Sequence, residues 1–363
     1  MINNSETELY KVKEVPIVFI LGHGRSGTTL LQSILNGHPN ISAPPEYDFI
    51  IYLYPLFRKI KHWEKADILA FIDALFSDPY FSIWLINREV LTEKLLPVAG
   101  HVDFPALCKI LIRLTKEHKE DIKMLLDKNP INTIFTGKLM ELFPDAKFIH
   151  MIRDPRDSVD GHIKRLKSKN PFFLSRRWNR YNAILENFKQ KYPDKFFTIK
   201  YENMVRDMDG TLISLSSFFG ISLSNLKKDD LLPEGFQSTD KNEFFQKLPP
   251  DVRTEVFNKI KSAHNNLSAP VNTGNIEKWK KEMSPYAVAV TEIITEKRAK
   301  KYGYEIEPQK NNTIKVSKYL LFKSRIVYFC WEVYTRWRYS NFSYNTKYRA
   351  KLIRNIINKG KDK

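Results

Sequence analysis

Two short stretches of this chain combine residue types suited to gripping a small anion. The first is Gly22-His23-Gly24-Arg25-Ser26-Gly27-Thr28-Thr29, lying between an apolar run and leucines at helical spacing. Glycines let backbone N–H groups converge on one point, and the helix start that follows adds roughly half a positive charge. Arg25 and two adjacent hydroxyls favour an oxyanion as the ligand. The second stretch is Ile152-Arg153-Asp154-Pro155-Arg156-Asp157-Ser158. It reads as a strand delivering an arginine to another helix start, which again suits a phosphate. The alternative is a charged helix start in which Arg153 and Arg156 pair with Asp154 and Asp157.

The first loop fits more than one pattern. Gly22–Gly27 matches G-x-G-x-x-G, the dinucleotide fingerprint, and Glu46 lies 19 positions after Gly27, near the place of a ribose-binding acid. On that reading Glu46 should close a second strand, yet it follows Pro44-Pro45, which is poor strand chemistry. The same residues match the triphosphatase loop, except that Thr28 stands where the lysine for the β/γ-phosphates belongs.

Gly24-Arg25-Ser26-Gly27-Thr28-Thr29-Leu30-Leu31, followed by His38-Pro39, resembles the 5′-phosphosulfate loop of PAPS-dependent sulfotransferases. Within that superfamily it looks most like the protein-tyrosine and carbohydrate branches. The Arg153 stretch resembles the family's 3′-phosphate segment. Arg165 on the same helix matches a further basic position, while Gly161 stands where a serine is usual. Ser158, one turn earlier, is the candidate replacement. Three satellites follow the family's order: Lys128-Asn129-Pro130, Tyr201-Glu202-Asn203, and Lys278-Trp279. The resemblance covers about Pro16 to Pro308. It implies PAPS as the donor, no metal, and in-line sulfuryl transfer to a hydroxyl. It also implies Glu46 as the base, Lys128 and Arg25 beside the transferring group, and Arg153, Ser158, Arg165, Tyr201, Lys278 and Trp279 around the nucleotide. His23, His150 and His162 match no base position and are expected to be structural.

Elements must carry these groups to one place. Val15–Leu21 is continuously apolar, as a strand buried on both faces would be. Lys147–Ile152, Lys195–Lys200 and Lys123–Leu126 are further strand candidates. Asp154-Pro155 opens a helix running to about Ser168. Trp178, Tyr181, Leu185 and Phe188 form a helical core stripe. Between Phe49 and Lys123 the pattern is helical and aromatic-rich, and Trp63 and Trp84 there suit either an acceptor pocket or a core. The predicted fold is α/β: a P-loop-like three-layer sandwich with a mainly parallel sheet, a helical acceptor-side insertion and a basic C-terminal helical extension.

Charge divides the chain at residue 313. The 363 residues carry 59 Lys and Arg against 41 Asp and Glu, a formal charge of +18. Residues 313–363 hold 13 of those cations against Glu332 and Asp362, so +11 sits there and only +7 on the rest. The expected organisation is a sulfotransferase domain over 1–312 and an extension over 313–363. The body is only mildly basic, and a nucleic-acid partner is not expected. Aromatics mixed with cations in the extension suit peripheral contact with an anionic membrane face. Residues 1–6 lack the layout of a signal peptide, and two cysteines suit a reducing compartment, so a cytoplasmic location is expected. The expected acceptor is a lipid, sterol or glycan hydroxyl, with protein tyrosine less favoured. The competing functions are an NAD(P)-dependent enzyme and a basic nucleic-acid-binding protein.

Overall fold

A computed structural model describes residues 12–116, 121–166, 170–224, 226, 246–254, 257–258, 273–306, 314–345 and 347. Five strands form one sheet: β1 (Ile17–Gly22), β2 (Ile41–Ser42), β3 (Met124–Lys128), β4 (Lys147–Ile152) and β5 (Phe196–Lys200). Their order is β2-β3-β1-β4-β5, and all four pairings are parallel. The four expected strands are all present, and β4 has the predicted bounds. The fourth candidate, placed at Lys123–Leu126, extends to Lys128. β2 went unforeseen because two residues carry no period.

The topology separates this sheet from a dinucleotide-binding one. In the Rossmann order the second strand pairs with the first. Here β3 lies between them, and residues 43–48 after β2 form neither helix nor strand. Glu46 therefore closes no second strand.

The helices are α1 (Thr28–Asn36), α2 (Phe49–Phe57), α3 (Lys65–Phe76), α4 (Arg88–Leu95), α5 (Phe104–Arg113), α6 (Thr136–Leu142) and α7 (Pro155–Leu166). Then follow α8 (Pro171–Lys191), α9 (Tyr201–Arg206), α10 (Met208–Phe219), α11 (Trp279–Glu282), α12 (Pro285–Lys301) and α13 (Lys318–Ser340). The end of α7 predicted near Ser168 lies outside the described residues.

Alternate residues of β1 feed the two faces of the sheet, as the strand's two-residue period requires. Val18 and Ile20 pack with Leu31 and Leu35 of α1, Met204 of α9 and Leu215 of α10. Ile17, Phe19 and Leu21 pack on the other face with Leu139 of α6, Leu185 of α8 and the aromatic helices α2 to α5. The result is the three-layer arrangement. Trp63 and Trp84 are both buried in that second core. Along α8, Trp178, Tyr181 and Leu185 are buried and Phe188 packs half-buried against the core, as the stripe requires.

Candidate active site

Parallel strands end on a common edge, and here that edge collects the candidate residues in strand order. From one side to the other lie Glu46 after β2, Lys128 at the end of β3 and the Gly22–Gly27 loop after β1. Arg153 after β4 and Tyr201 after β5 complete the row. Register keeps the row level: Ile20 sits opposite Lys128, Gly22 opposite Met151, and Ile152 opposite Lys200. The carboxyl edge of a parallel sheet is where ligands of such folds bind.

The loop has a left-handed backbone at Gly27 (φ 87°) and at Arg25 (φ 65°). A Cβ at Gly27 would lie 2.4 Å from the Tyr201 ring, so only glycine lets the loop and that ring meet. Arg25 holds its conformation without that freedom, a local strain of the kind found at ligand clamps.

Beneath the loop is a polar cluster the sequence did not reveal. Ser158 is fully buried and donates to the Gly24 carbonyl (3.1 Å). Its one proton is thus committed, so His23 Nδ1 donates to Ser158 Oγ (2.7 Å). His23 Nε2 then accepts from Arg177 Nε (3.1 Å), and His162 Nε2 faces the same guanidinium at 3.0 Å. A guanidinium only donates, so both imidazoles are neutral. Burial first, then neighbouring cations or the second imidazole, hold both pKa values well below the usual range. His150 is likewise buried, bonded to Asn182 (2.7 Å) and lowered to about 4. All three histidines are packed into the scaffold.

Three guanidiniums gather around the loop. Arg25 has its pKa lowered by burial and then by the charges of Arg165 and Arg153. Among the described residues no carboxylate pairs with Arg25 or with Arg165. Arg153 donates to the Arg25 carbonyl (3.1 Å) and to the Asn275 carbonyl, and stacks 4.3 Å above the Tyr201 ring. Its Nε is buried with no partner. Uncompensated like charges beside an unsatisfied buried donor fit a polyanionic ligand such as PAPS. Gly161 lies under this cluster, where a Cβ would stand 3.3 Å from the Arg25 Cβ. The missing serine thus leaves room for Arg25 to lie across α7, while Ser158 faces the loop's underside.

At the other end of the row, Lys128 Nζ meets Glu46 Oε2 at 2.6 Å and Thr29 Oγ1 at 3.3 Å. The Lys128 side chain is 3 % exposed and that of Glu46 49 %. The residues flanking Glu46 are tied down. Gln32 donates to the Ala43 carbonyl (3.2 Å), Trp84 Nε1 to that of Pro45 (2.8 Å) and Asn129 Nδ2 to that of Tyr47 (3.2 Å). The Tyr339 hydroxyl, almost 300 residues on, donates to Asp48. Trp84 therefore braces the segment carrying Glu46 from within the core. Below Lys128, Asp127 accepts from Asn129 (2.7 Å) and Asn132 (3.2 Å), and burial raises its pKa to about 7. Lys128 pairs with Glu46 rather than with Asp127.

The remaining candidates close the other end. Both oxygens of Asp157 accept backbone N–H groups, from Glu277 (2.9 Å) and Trp279 (2.8 Å), and anchor the Lys278-Trp279 turn against α7. Burial raises Asp157 to about 6, against the pull of Arg153 and those two donors. Lys278 is exposed and pairs with Glu282 (3.3 Å). Trp279 stacks on Arg156, 3.9 Å from guanidinium carbon to ring centre. Arg156 is consumed by Asp154 (2.7 Å) and Glu292 (2.9 Å), and Arg153 lies 3.6 Å from Asp157. The ion pairs of a charged helix start are thus present, with Arg156 fully engaged and Arg153 only partly. Thr28 is buried, Leu30 packs partly buried on the α1 side, and Ser26 Oγ lies 3.4 Å from Ser158 Oγ. Among the described residues no group of three His, Cys, Asp or Glu could hold a metal.

Residues 16–225 match the model of a family described as the sulfotransferase family. A protein-tyrosine sulfotransferase of Drosophila melanogaster is 24 % identical over 274 residues, 74 % of this chain and 47 % of the fly protein. Protein-tyrosine sulfotransferase 2 of Gallus gallus is 24 % identical over 292 residues, 77 % of this chain and 67 % of its own. An omega-hydroxy-beta-dihydromenaquinone-9 sulfotransferase of Mycobacterium bovis is 25 % identical over 244 residues, 57 % of this chain and 63 % of that one. This chain thus spans between about half and two thirds of these relatives, and identity does not divide the tyrosine from the lipid branch. Among solved structures, the sulfotransferase domain of the Synechococcus PCC 7002 olefin synthase superposes with a TM-score of 0.54 at 19 % identity. That match covers 80 % of this chain and 96 % of the domain, a likeness of fold.

Proposed function

The chain belongs to the sulfotransferase family, and on that premise we propose that it moves a sulfuryl group from PAPS to the hydroxyl of a lipid-like, sterol or glycan acceptor. One observation carries the reading. The carboxyl edge of the sheet holds a carboxylate–ammonium pair at one end and, at the other, the guanidiniums of Arg25 and Arg165, which have no carboxylate partner among the described residues. The donor supplies a good leaving group in its phosphosulfate bond, and the chain's own residues supply the rest. The loop N–H groups, Arg25, Thr28 and Thr29 would hold the 5′ end. Arg153 and Arg165 would hold the 3′-phosphate, with Ser158 bracing the loop, and Tyr201 and the Lys278-Trp279 turn would flank the nucleotide. Glu46 is the base that takes the acceptor proton, and Lys128 is placed to steady negative charge that develops beside Thr29. Positioning and electrostatics dominate such a displacement, as they do in phosphoryl transfer.

An amphipathic, lipid-like acceptor with an anionic group is favoured by a cavity of about 590 Å³ between α2, α8 and α13, whose walls mix Ile51, Tyr54, Phe135 and Tyr339 with Arg58, Lys138, Arg180 and Arg336. Tyr339 reaches from there to Asp48, two residues past Glu46. A cytoplasmic location remains part of the proposal, on the two free cysteines Cys108 and Cys330, which suit a reducing compartment.

Calorimetric titration with adenosine 3′,5′-bisphosphate is the test. Saturable binding that Arg153→Ala weakens supports the reading, whereas indifference to the bisphosphate together with binding of NAD(P) ends it. Transfer of labelled sulfate into a fractionated lipid extract, a glycan fraction and tyrosine peptides then assigns the acceptor.

A further inference from the structure

Helix α13 is built inside out. The residues it buries are Ser324, Tyr328, Glu332, Thr335 and Tyr339, a stripe at helical spacing whose every side chain carries a polar atom. Two of them, Ser324 and Glu332, meet α8 through hydrogen bonds and an ion pair. Arg176 donates to Ser324 Oγ (3.1 Å) and to the Leu321 carbonyl (3.1 Å), and Arg180 grips both oxygens of Glu332 (3.0 and 3.1 Å). The opposite stripe, Tyr319, Phe322, Ile326, Phe329, Val333 and Trp337, is apolar or aromatic and stands in solvent. Phe322 is 62 % exposed, Phe329 66 % and Trp337 47 %. Steps of three and four residues place all six on one face. A contiguous apolar patch of this length marks an interaction surface.

Charge identifies the occupant. Lys318, Lys323 and Arg325 are exposed along the rims of this face. Glu332, the one acidic residue of α13, is turned inward onto Arg180 and Arg336. A second copy apposed through the same stripe would bring cationic rims together with no carboxylate to answer them. Residues 348–363 are themselves rich in Lys and Arg, so they repel this face in the same way. An anionic lipid surface complements both features, taking aromatics into the acyl boundary and headgroup charge against the rims. The 23-residue helix extends about 35 Å, and no described helix is long and apolar enough to cross a membrane. It would lie on the bilayer rather than span it.

We propose that the exposed face of α13 is a docking surface for bilayers containing anionic phospholipid. The surface does not depend on the sulfuryl-transfer reading, because binding is measured without turnover. Its consequence for that reading is geometric. Tyr339, bonded to Asp48, and Phe342, its ring tilted and 5.2 Å from that of Tyr52 in α2, tie the end of α13 to the segment carrying Glu46 and the helix after it. A docked chain would therefore hold its acceptor side next to the lipid.

The experiment is vesicle flotation of the full chain with phosphatidylcholine alone and with phosphatidylcholine containing a quarter phosphatidylglycerol. We expect flotation only with the anionic vesicles. Phe322→Ser, Phe329→Ser and Trp337→Ser combined should lower partitioning at least about tenfold. Lys323→Glu with Arg325→Glu should lower it about a hundredfold. Unchanged titration with adenosine 3′,5′-bisphosphate, or an unchanged circular dichroism melt should that ligand not bind, shows that each variant is folded. Flotation that survives the aromatic triple variant would assign binding to the basic residues beyond α13 and overturn the face. A wild type that ignores anionic vesicles, or that self-associates through these aromatics instead, overturns it equally.

Discussion

The two ends of the sheet edge solve opposite electrostatic problems. At the β2–β3 end, charge is balanced: one carboxylate faces one ammonium, and the carboxylate is half in solvent. At the β1–β4 end charge is left over: among the described residues Arg25 and Arg165 lack carboxylate partners, and Arg153 carries an unsatisfied buried Nε. A paired carboxylate that is half in solvent is open to a visiting hydroxyl. Uncompensated guanidiniums wait for an anion and gain when it arrives. On the proposed reading, chemistry and grip are kept on different strands.

The largest effect should come from removing the proton acceptor. Glu46→Gln should cut turnover about 10²- to 10⁴-fold while bisphosphate affinity stays within about twofold, and full turnover in this variant would erase the division of labour. Next, Arg153→Ala should weaken bisphosphate binding by about two orders of magnitude, as loss of charge-assisted hydrogen bonds does; undiminished calorimetric affinity would place the phosphate elsewhere. Trp84→Phe keeps the ring but loses the bond to Pro45, costing about 1 kcal/mol of loop restraint. It should lower turnover a few-fold without touching nucleotide affinity, and equal loss in both would show the two ends are not separable.

The last effect is read in stability rather than turnover, as a pH difference at Asp127. Its folded pKa of about 7 lies above the ordinary carboxyl value of 3.8. The stability it contributes is therefore full below about pH 4 and is lost as pH rises to 7. Asp127→Asn has no such loss. Comparing melting temperatures at pH 4.5 and 7.5, the wild type should lose ground to the variant as pH rises, and parallel profiles would show that Asp127 stays ionised.

What the sequence disclosed follows the range of the forces involved. β1 and β4 announce themselves because a strand buried on both faces needs consecutive apolar residues, and α7 because Asp154-Pro155 is a local start signal. The candidates Arg25 and Arg153 are legible because each follows such a strand, whereas Lys128 and Tyr201 are legible only through the resemblance of Lys128-Asn129-Pro130 and Tyr201-Glu202-Asn203 to the family's motifs. Contacts that join distant segments left no periodic trace: Arg177 between two imidazoles, Arg156 on Glu292, Trp84 on Pro45. For α13 composition revealed cations and aromatics, but only packing shows that the polar stripe faces inward. Gly161 read as a missing serine, and its use became visible only with Arg25 lying over it.

The tethers around residues 43–48 have an evolutionary corollary. Because the backbone on either side of Glu46 is fastened to α1, to Trp84 and to Asn129, the surface beyond it can drift without dragging the carboxylate along. Descendants of such a scaffold could trade one recipient for another by rewriting the solvent side of α2 to α5, and keep the same carboxylate in place throughout.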